Sequence, residues 1–198
     1  MSGQRRFLIA MLAVLLLAHT RWASAHEGDP TGGFLSGFTH PMFGLDHVLA
    51  MVAVGLWGAQ LGPPALWLLP VAFPLVMAVG GFLGLIGVEI PGVEIGVAVS
   101  AIVLGAMVFL QARPRLSVAL FLVALFAIFH GYAHGAELPP GDSGILYSIG
   151  FVIGTGLLHA GGISLGLIHR WNWGKRVVQL AGILIAAGGC YFLYGALA

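Results

Sequence analysis

The apolar positions of this chain fall into long unbroken runs that Pro, Gly and charge clusters cut at regular intervals. The breaks lie at 62–64, 87–94, 111–115 and 137–142 and between 168 and 176, leaving apolar runs over about 44–61, 65–86, 95–110, 116–134, 144–168 and 176–197. Each run is near the roughly 20 residues that a helix rising about 1.5 Å per residue needs to cross hydrocarbon. Period-2 alternation is absent, which excludes a membrane β-barrel. The pattern predicts an all-α, polytopic membrane protein with a bundle of six transmembrane helices. Pro70 and Pro74 fall inside the second run and predict a kink there.

A shorter apolar run, from Phe7 to Ala18, has a different reading. Arg5 and Arg6 precede it, and the small-residue pattern Ala23-Ser24-Ala25 follows it. Those are the three regions of a secretory signal peptide, and a dozen apolar residues are too few to span a bilayer. Residues 1–25 are therefore expected to be removed, leaving 26–198 as the six-helix transmembrane domain.

Composition agrees with the pattern. The chain is 59% apolar and 8% charged with 31 glycines, against about 45–50% apolar and about 25% charged in soluble domains. A net charge of +1 offers no basic surface to nucleic acid, and the single Cys190 can make neither an internal disulfide nor a CxxC site. Much of the glycine lies in small-xxx-small pairs: Gly58/Gly62, Gly80/Gly84, Gly131/Gly135, Gly150/Gly154 and Gly162/Gly166. Such pairs let helix backbones approach closely where lipid supplies no drive for helices to associate.

Charge placement orients the bundle. The Lys and Arg residues beyond the signal segment are Arg113, Arg115, Arg170, Lys175 and Arg176, all in the third-to-fourth and fifth-to-sixth connections. Glu27, Asp29, Glu89, Glu94, Glu137 and Asp142 lie in the N-terminal segment and the other charged loops. Basic connections face the cytoplasm. The mature N-terminus, the acidic loops and, with six spans, the C-terminus then face the periplasm of a bacterial inner membrane.

The polar residues inside the runs carry the chemistry. Asp46 is the one carboxylate assigned to a helix, beside His47 at the outer end of the first run. His40 lies seven residues earlier, but Pro41 and Gly44 intervene. A broken or re-entrant backbone is expected there, of a kind tolerated in a membrane only where it lines a cavity. His130 and His134 are spaced i, i+4 and share one helix face, which Glu137 would extend. Both clusters are expected at the outer membrane level, with His159 roughly 20 Å along the fifth helix. Polar groups are costly in lipid and serve either as interhelical contacts or as a pathway. Imidazole nitrogen with carboxylate oxygen suits Ni²⁺, Co²⁺, Zn²⁺ or Cu²⁺ and is poor for Mg²⁺ or Ca²⁺. A cleaved His26 terminus could also chelate metal. The second, third and sixth runs carry no His or carboxylate and are expected to be scaffold. No P-loop, GxSxG or HExxH motif occurs, so nothing points to an enzyme of those classes.

The stretch His40-Pro41-Met42-Phe43-Gly44-Leu45-Asp46-His47-Val48-Leu49-Ala50-Met51 resembles the HPxxGxDHxxxM signature of the HupE/UreJ family. His130-Gly131-Tyr132-Ala133-His134-Gly135-Ala136-Glu137 resembles its HGxAHGxE motif, and the sequence around His159 resembles a third, looser stretch. Members are nickel or cobalt permeases. The resemblance implies that His40, Asp46, His47, His130, His134 and Glu137 belong to a permeation site, with His159 as a deeper relay. It implies Ni²⁺ or Co²⁺ as transported substrate rather than a permanent cofactor, with the lipid bilayer as surroundings; a homo-oligomer is compatible with such a bundle. Two other classes fit parts of the pattern: a bis-His haem electron carrier, and an intramembrane metal-dependent enzyme with an open metal position.

Two measurements test the expected topology. Intact mass of the purified protein is expected to match residues 26–198; a mass that includes the first 25 residues removes the cleavage assignment. Cysteines placed at Gln111 and Trp173 in a Cys190→Ser background are expected to resist a membrane-impermeant thiol reagent applied from outside. Their modification reverses the orientation.

Overall fold

The computed structural model describes residues 30–136 and 143–198. The signal segment and Glu137 lie outside the described residues. Helices are α1 (Pro30–Phe43), α2 (Leu45–Leu61), α3 (Ala65–Leu85), α4 (Val93–Phe109), α5 (Leu116–Ala136), α6 (Gly144–Gly166) and α7 (Asn172–Leu197), with a 3-10 turn at Leu167–Arg170. No strand occurs among the described residues. Each of the six apolar runs is a helix, bounded within a few residues of the sequence-based limits. Helix α3 continues through both Pro70 and Pro74.

By length and composition, α3, α5, α6 (with its 3-10 extension) and α7 can cross a membrane. Helices α1 and α2 pass only together, as a pair bent by 78°. Helix α4 has 17 residues, about 25 Å at 1.5 Å per residue, and is shorter than a usual span. The described residues therefore hold four to five candidate spans rather than six.

Glycines determine which helices meet. A methyl group at Gly131 would overlap the Met77 carbonyl and one at Gly135 the Gly81 carbonyl; Gly80 and Gly84 stand likewise against the Ile128 and Tyr132 carbonyls. Two of the small-residue pairs thus face each other across α3 and α5. Gly150 and Gly154 of α6 receive α1 at Phe34 and Phe38, and Gly162 and Gly166 receive α2 at Val52 and Leu56. Gly105 and Gly182 bring α4 against α7. The fifth pair differs: Gly58 rests on the start of α3, and Gly62 turns the chain at φ 76° with open space around its α-carbon.

Large apolar side chains outside these contacts face outward, among them Leu75 and Val79 of α3, Val152 and Leu157 of α6, and Leu180 and Leu184 of α7. Such a surface suits lipid. Buried between the helices are Met51, Trp57, Leu69, Phe73, Leu104, Val123 and Val178.

The two ends of the bundle differ. At one end Trp57 Nε1 donates to the Ala112 carbonyl, Gln60 Nε2 to Val108 and Gln179 Nε2 to Phe109, tying α2 and α7 to the C-terminal end of α4. Arg113, Arg115, Arg170, Lys175 and Arg176 lie in the connections at this end or at the start of α7. The histidines of α2 and α5 lie toward the other.

Close packing at glycine gives a testable contrast. Gly80→Val places a side chain into the α5 backbone and is expected to cost about 1–3 kcal/mol. Gly156→Val points into open space and is expected to leave the melting temperature of the detergent-solubilised protein nearly unchanged. Equal melting temperatures for the two variants would contradict this packing.

Candidate functional site

The site starts at the break between α1 and α2. Helix α1 ends at Phe43, and Gly44 adopts extended backbone at φ −78°, ψ 98° before α2 begins. A side chain at Gly44 would meet His47 Nδ1 at 3.1 Å and Asp46 Oδ1 at 3.2 Å. Glycine at the break therefore leaves room for that pair. Asp46 Oδ1 accepts two hydrogen bonds of 2.9 Å, from the backbone N–H and from Nδ1 of His47. The first satisfies a helix-start N–H that has no intrahelical acceptor. The second fixes which His47 nitrogen stays bare.

The packing of α1 and α2 along α6 places the break within the bundle. Along α6, α1 reaches from Ser143 to Gly154, and α2 covers His159 to Gly166. The break thus stands opposite the middle of a 23-residue helix. Helix α1 runs along the first half of α6 before α2 starts, which sets the break there. A broken helix of this kind exposes backbone carbonyls at the end of one half and N–H groups at the start of the other. Asp46 supplies negative charge beside the positive start of α2.

Four imidazoles gather around the break. The His47 ring lies 4.7 Å from His130 and 4.3 Å from His134, and His134 lies 4.7 Å from His40. The order His40, His134, His47, His130 is one continuous row of rings. Helices α2 and α5 do not pack backbone to backbone as the glycine-lined pairs do; imidazoles fill the space between them. Phe73 of α3 continues the row, 5.5 Å from His130 and 5.5 Å from His159. His159 thus joins the cluster only through the Phe73 ring. Its level is further toward the basic end of the bundle.

These rings are short of partners. His130 is fully buried and His159 nearly so. Nε2 of His47, Nδ1 of His130 and both nitrogens of His134 and His159 are buried without a hydrogen-bond partner, as is Thr155 Oγ1, one turn before His159. An unmade hydrogen bond at a buried group costs about 1–3 kcal/mol, so such a concentration needs a compensating role. Among the described residues, no three His, Cys, Asp or Glu side chains are arranged to hold a metal ion. The rings meet edge to face or tilted.

Two cavities reach the row. One of about 510 Å³ opens between α2, α4 and α7 and is lined by Asp46, His47, Glu94, Ala133 and Tyr191, among others. The other, of about 710 Å³, lies between α3, α5 and α6; His134 borders it, but its walls are mainly apolar.

The structure brings together His40, Asp46, His47, His130 and His134, and joins His159 to them through Phe73. It also adds residues that the sequence reading missed. Glu94 reads as a loop carboxylate yet sits in the first turn of α4 on the Asp46 cavity. Ser100 and Phe73 lie in runs expected to be scaffold, but Ser100 Oγ lies 2.8 Å from His130 Nε2. A lone serine and a phenylalanine in apolar runs give no periodic signal. The acidic side chain at the His-cluster end of the third run is the one signal that could have pointed to Glu94.

The profile described as HupE / UreJ protein matches residues 8–192 of this chain. A relative, Protein HupE of Rhizobium leguminosarum bv. viciae, is 41% identical over 187 residues, covering 94% of this chain and 95% of the relative. No solved structure matches.

Proposed function

The chain belongs to the HupE/UreJ family, and from that premise we propose that it is an inner-membrane permease carrying Ni²⁺ or Co²⁺ from the periplasm to the cytoplasm. The observation that carries the reading is the row of buried imidazoles at the α1–α2 break, with bare nitrogens and one carboxylate beside it. Neutral imidazole nitrogens bind borderline divalent cations well, and a neighbouring carboxylate offsets the charge as water is shed.

In this reading the cation reaches Asp46 and His47 through the cavity bordered by Glu94. It passes to His130 and His134, and then beyond Phe73 to His159. Glu137, at the end of the HGxAHGxE motif, would add a further carboxylate. The lack of a ready three-ligand cage suits transport, since a site that holds its ion tightly does not release it. Phe73 packs against both His130 and His159, where a bis-His haem would need an open slot.

Uptake of labelled Ni²⁺ and Co²⁺ in cells lacking their own importers, with and without this chain, tests the reading. No gain for either ion overturns it. Asp46→Asn keeps the shape and most hydrogen bonding but removes the charge; it is expected to abolish uptake while the protein remains folded in the membrane. His47→Ala is expected to do the same. Near-wild-type initial rates for Asp46→Asn, normalised to membrane protein amount, would leave Asp46 a helix-start residue only.

A further inference from the structure

Ser100 is fully buried in the middle of α4, a helix without His or carboxylate in its apolar interior. Its Oγ lies 2.6 Å from the Val97 carbonyl oxygen and 2.8 Å from Nε2 of His130. A serine hydroxyl has one proton to give and lone pairs to accept with. The Val97 carbonyl can only accept, so the serine proton goes to it. What Oγ has left for His130 is a lone pair, and Nε2 of His130 must be the donor. A neutral imidazole protonated at Nε2 has a bare lone pair at Nδ1. That Nδ1 is buried and without a partner.

His47 is held in the opposite sense. Its Nδ1–H donates to the Asp46 carboxylate, which leaves Nε2 bare, buried and without a partner. The two rings are neighbours, 4.7 Å apart and nearly perpendicular. Two bare basic nitrogens on adjoining rings have no side-chain or backbone donor within hydrogen-bond reach. A cation satisfies both.

We propose that Ser100 is a positioning residue: it holds His130 in the Nε2–H tautomer, so that His130 offers Nδ1 to the same divalent cation to which His47 offers Nε2. The cation rests on the transport reading above; the tautomer does not. The hydroxyl of α4 and the carboxylate of α2 do the same job on opposite ring nitrogens, each orienting a ligand through the atom that does not touch the ion. Without the hydroxyl the Nε2–H loses its acceptor and the ring is free to turn, so the bare nitrogen is no longer aimed.

The full chain, labelled with ¹⁵N-histidine and placed in lipid nanodiscs without metal, provides the first readout. Proton–nitrogen correlation spectra distinguish protonated from bare ring nitrogens, and the His130→Gln spectrum identifies the His130 signals. The wild-type protein is expected to show His130 protonated at Nε2 and bare at Nδ1. In Ser100→Ala the hydrogen-bonded Nε2–H signal is expected to disappear, and in Ser100→Thr to persist. Initial-rate Ni²⁺ uptake provides the second readout. Ser100→Ala is expected to raise KM about 10-fold or more with little change in maximal rate, and Ser100→Thr to restore it. A wild-type His130 protonated at Nδ1, or a Ser100→Ala variant with wild-type KM, overturns the proposal. If threonine does not fit the buried space, the wild-type spectrum and Ser100→Ala still decide. A wild-type chain that carries neither Ni²⁺ nor Co²⁺ overturns the transport reading instead, and the spectrum then judges the tautomer alone.

Discussion

A basic nitrogen buried among apolar helices must find a proton donor or a cation, and the centre of this bundle is organised by that requirement. Two imidazole nitrogens are satisfied from within, one by the Asp46 carboxylate and one by the Ser100 hydroxyl. Those bonds assign protons to Nδ1 of His47 and Nε2 of His130, and leave the opposite nitrogens bare. His134 and His159 have no hydrogen-bond partner at either nitrogen. In water such atoms would cost nothing. Here each ring keeps one bare nitrogen that a proton donor or a cation can satisfy, and one N–H that needs an acceptor, and the proposed transport chemistry uses the bare nitrogens.

Space for the imidazoles depends on where backbones can approach. The glycine-lined contacts hold α3 against α5, and α1 and α2 against α6, at distances a methyl group would prevent. Helices α2 and α5 lack such a contact with each other. The gap between them is where His47, His130 and His134 meet. Small residues thus have an indirect part in the site, since they hold α3 against α5 and α1 and α2 against α6 on either side of the row of rings.

The discontinuity at Gly44 sets the depth. A continuous helix through His40 and His47 would satisfy its own backbone and leave no polar ends within the bundle. The break puts α1 carbonyls and α2 N–H groups opposite the middle of α6, beside Asp46 and the imidazole row. Phe73 then stands between that row and His159, which makes the aromatic ring the boundary between two polar levels.

Most of the helices were legible in the sequence, because a polypeptide among lipids must satisfy its backbone within each segment and breaks only at Pro, Gly or charge. The six apolar runs are six of the seven α-helices, and the His and Asp motifs mark a site because ionisable groups in such runs are rare. The interruption near Pro41 and Gly44 was legible for the same reason. Depth was not, since it depends on where α1 docks along α6. Nor were the contributions of Phe73, Glu94 and Ser100, which become part of the site only when α3 and α4 turn the right faces toward α2 and α5. Tautomers are a tertiary matter as well. A histidine in a sequence has two equivalent claims to its proton, and only the neighbour that a folded bundle supplies, Asp46 for His47 and Ser100 for His130, decides between them.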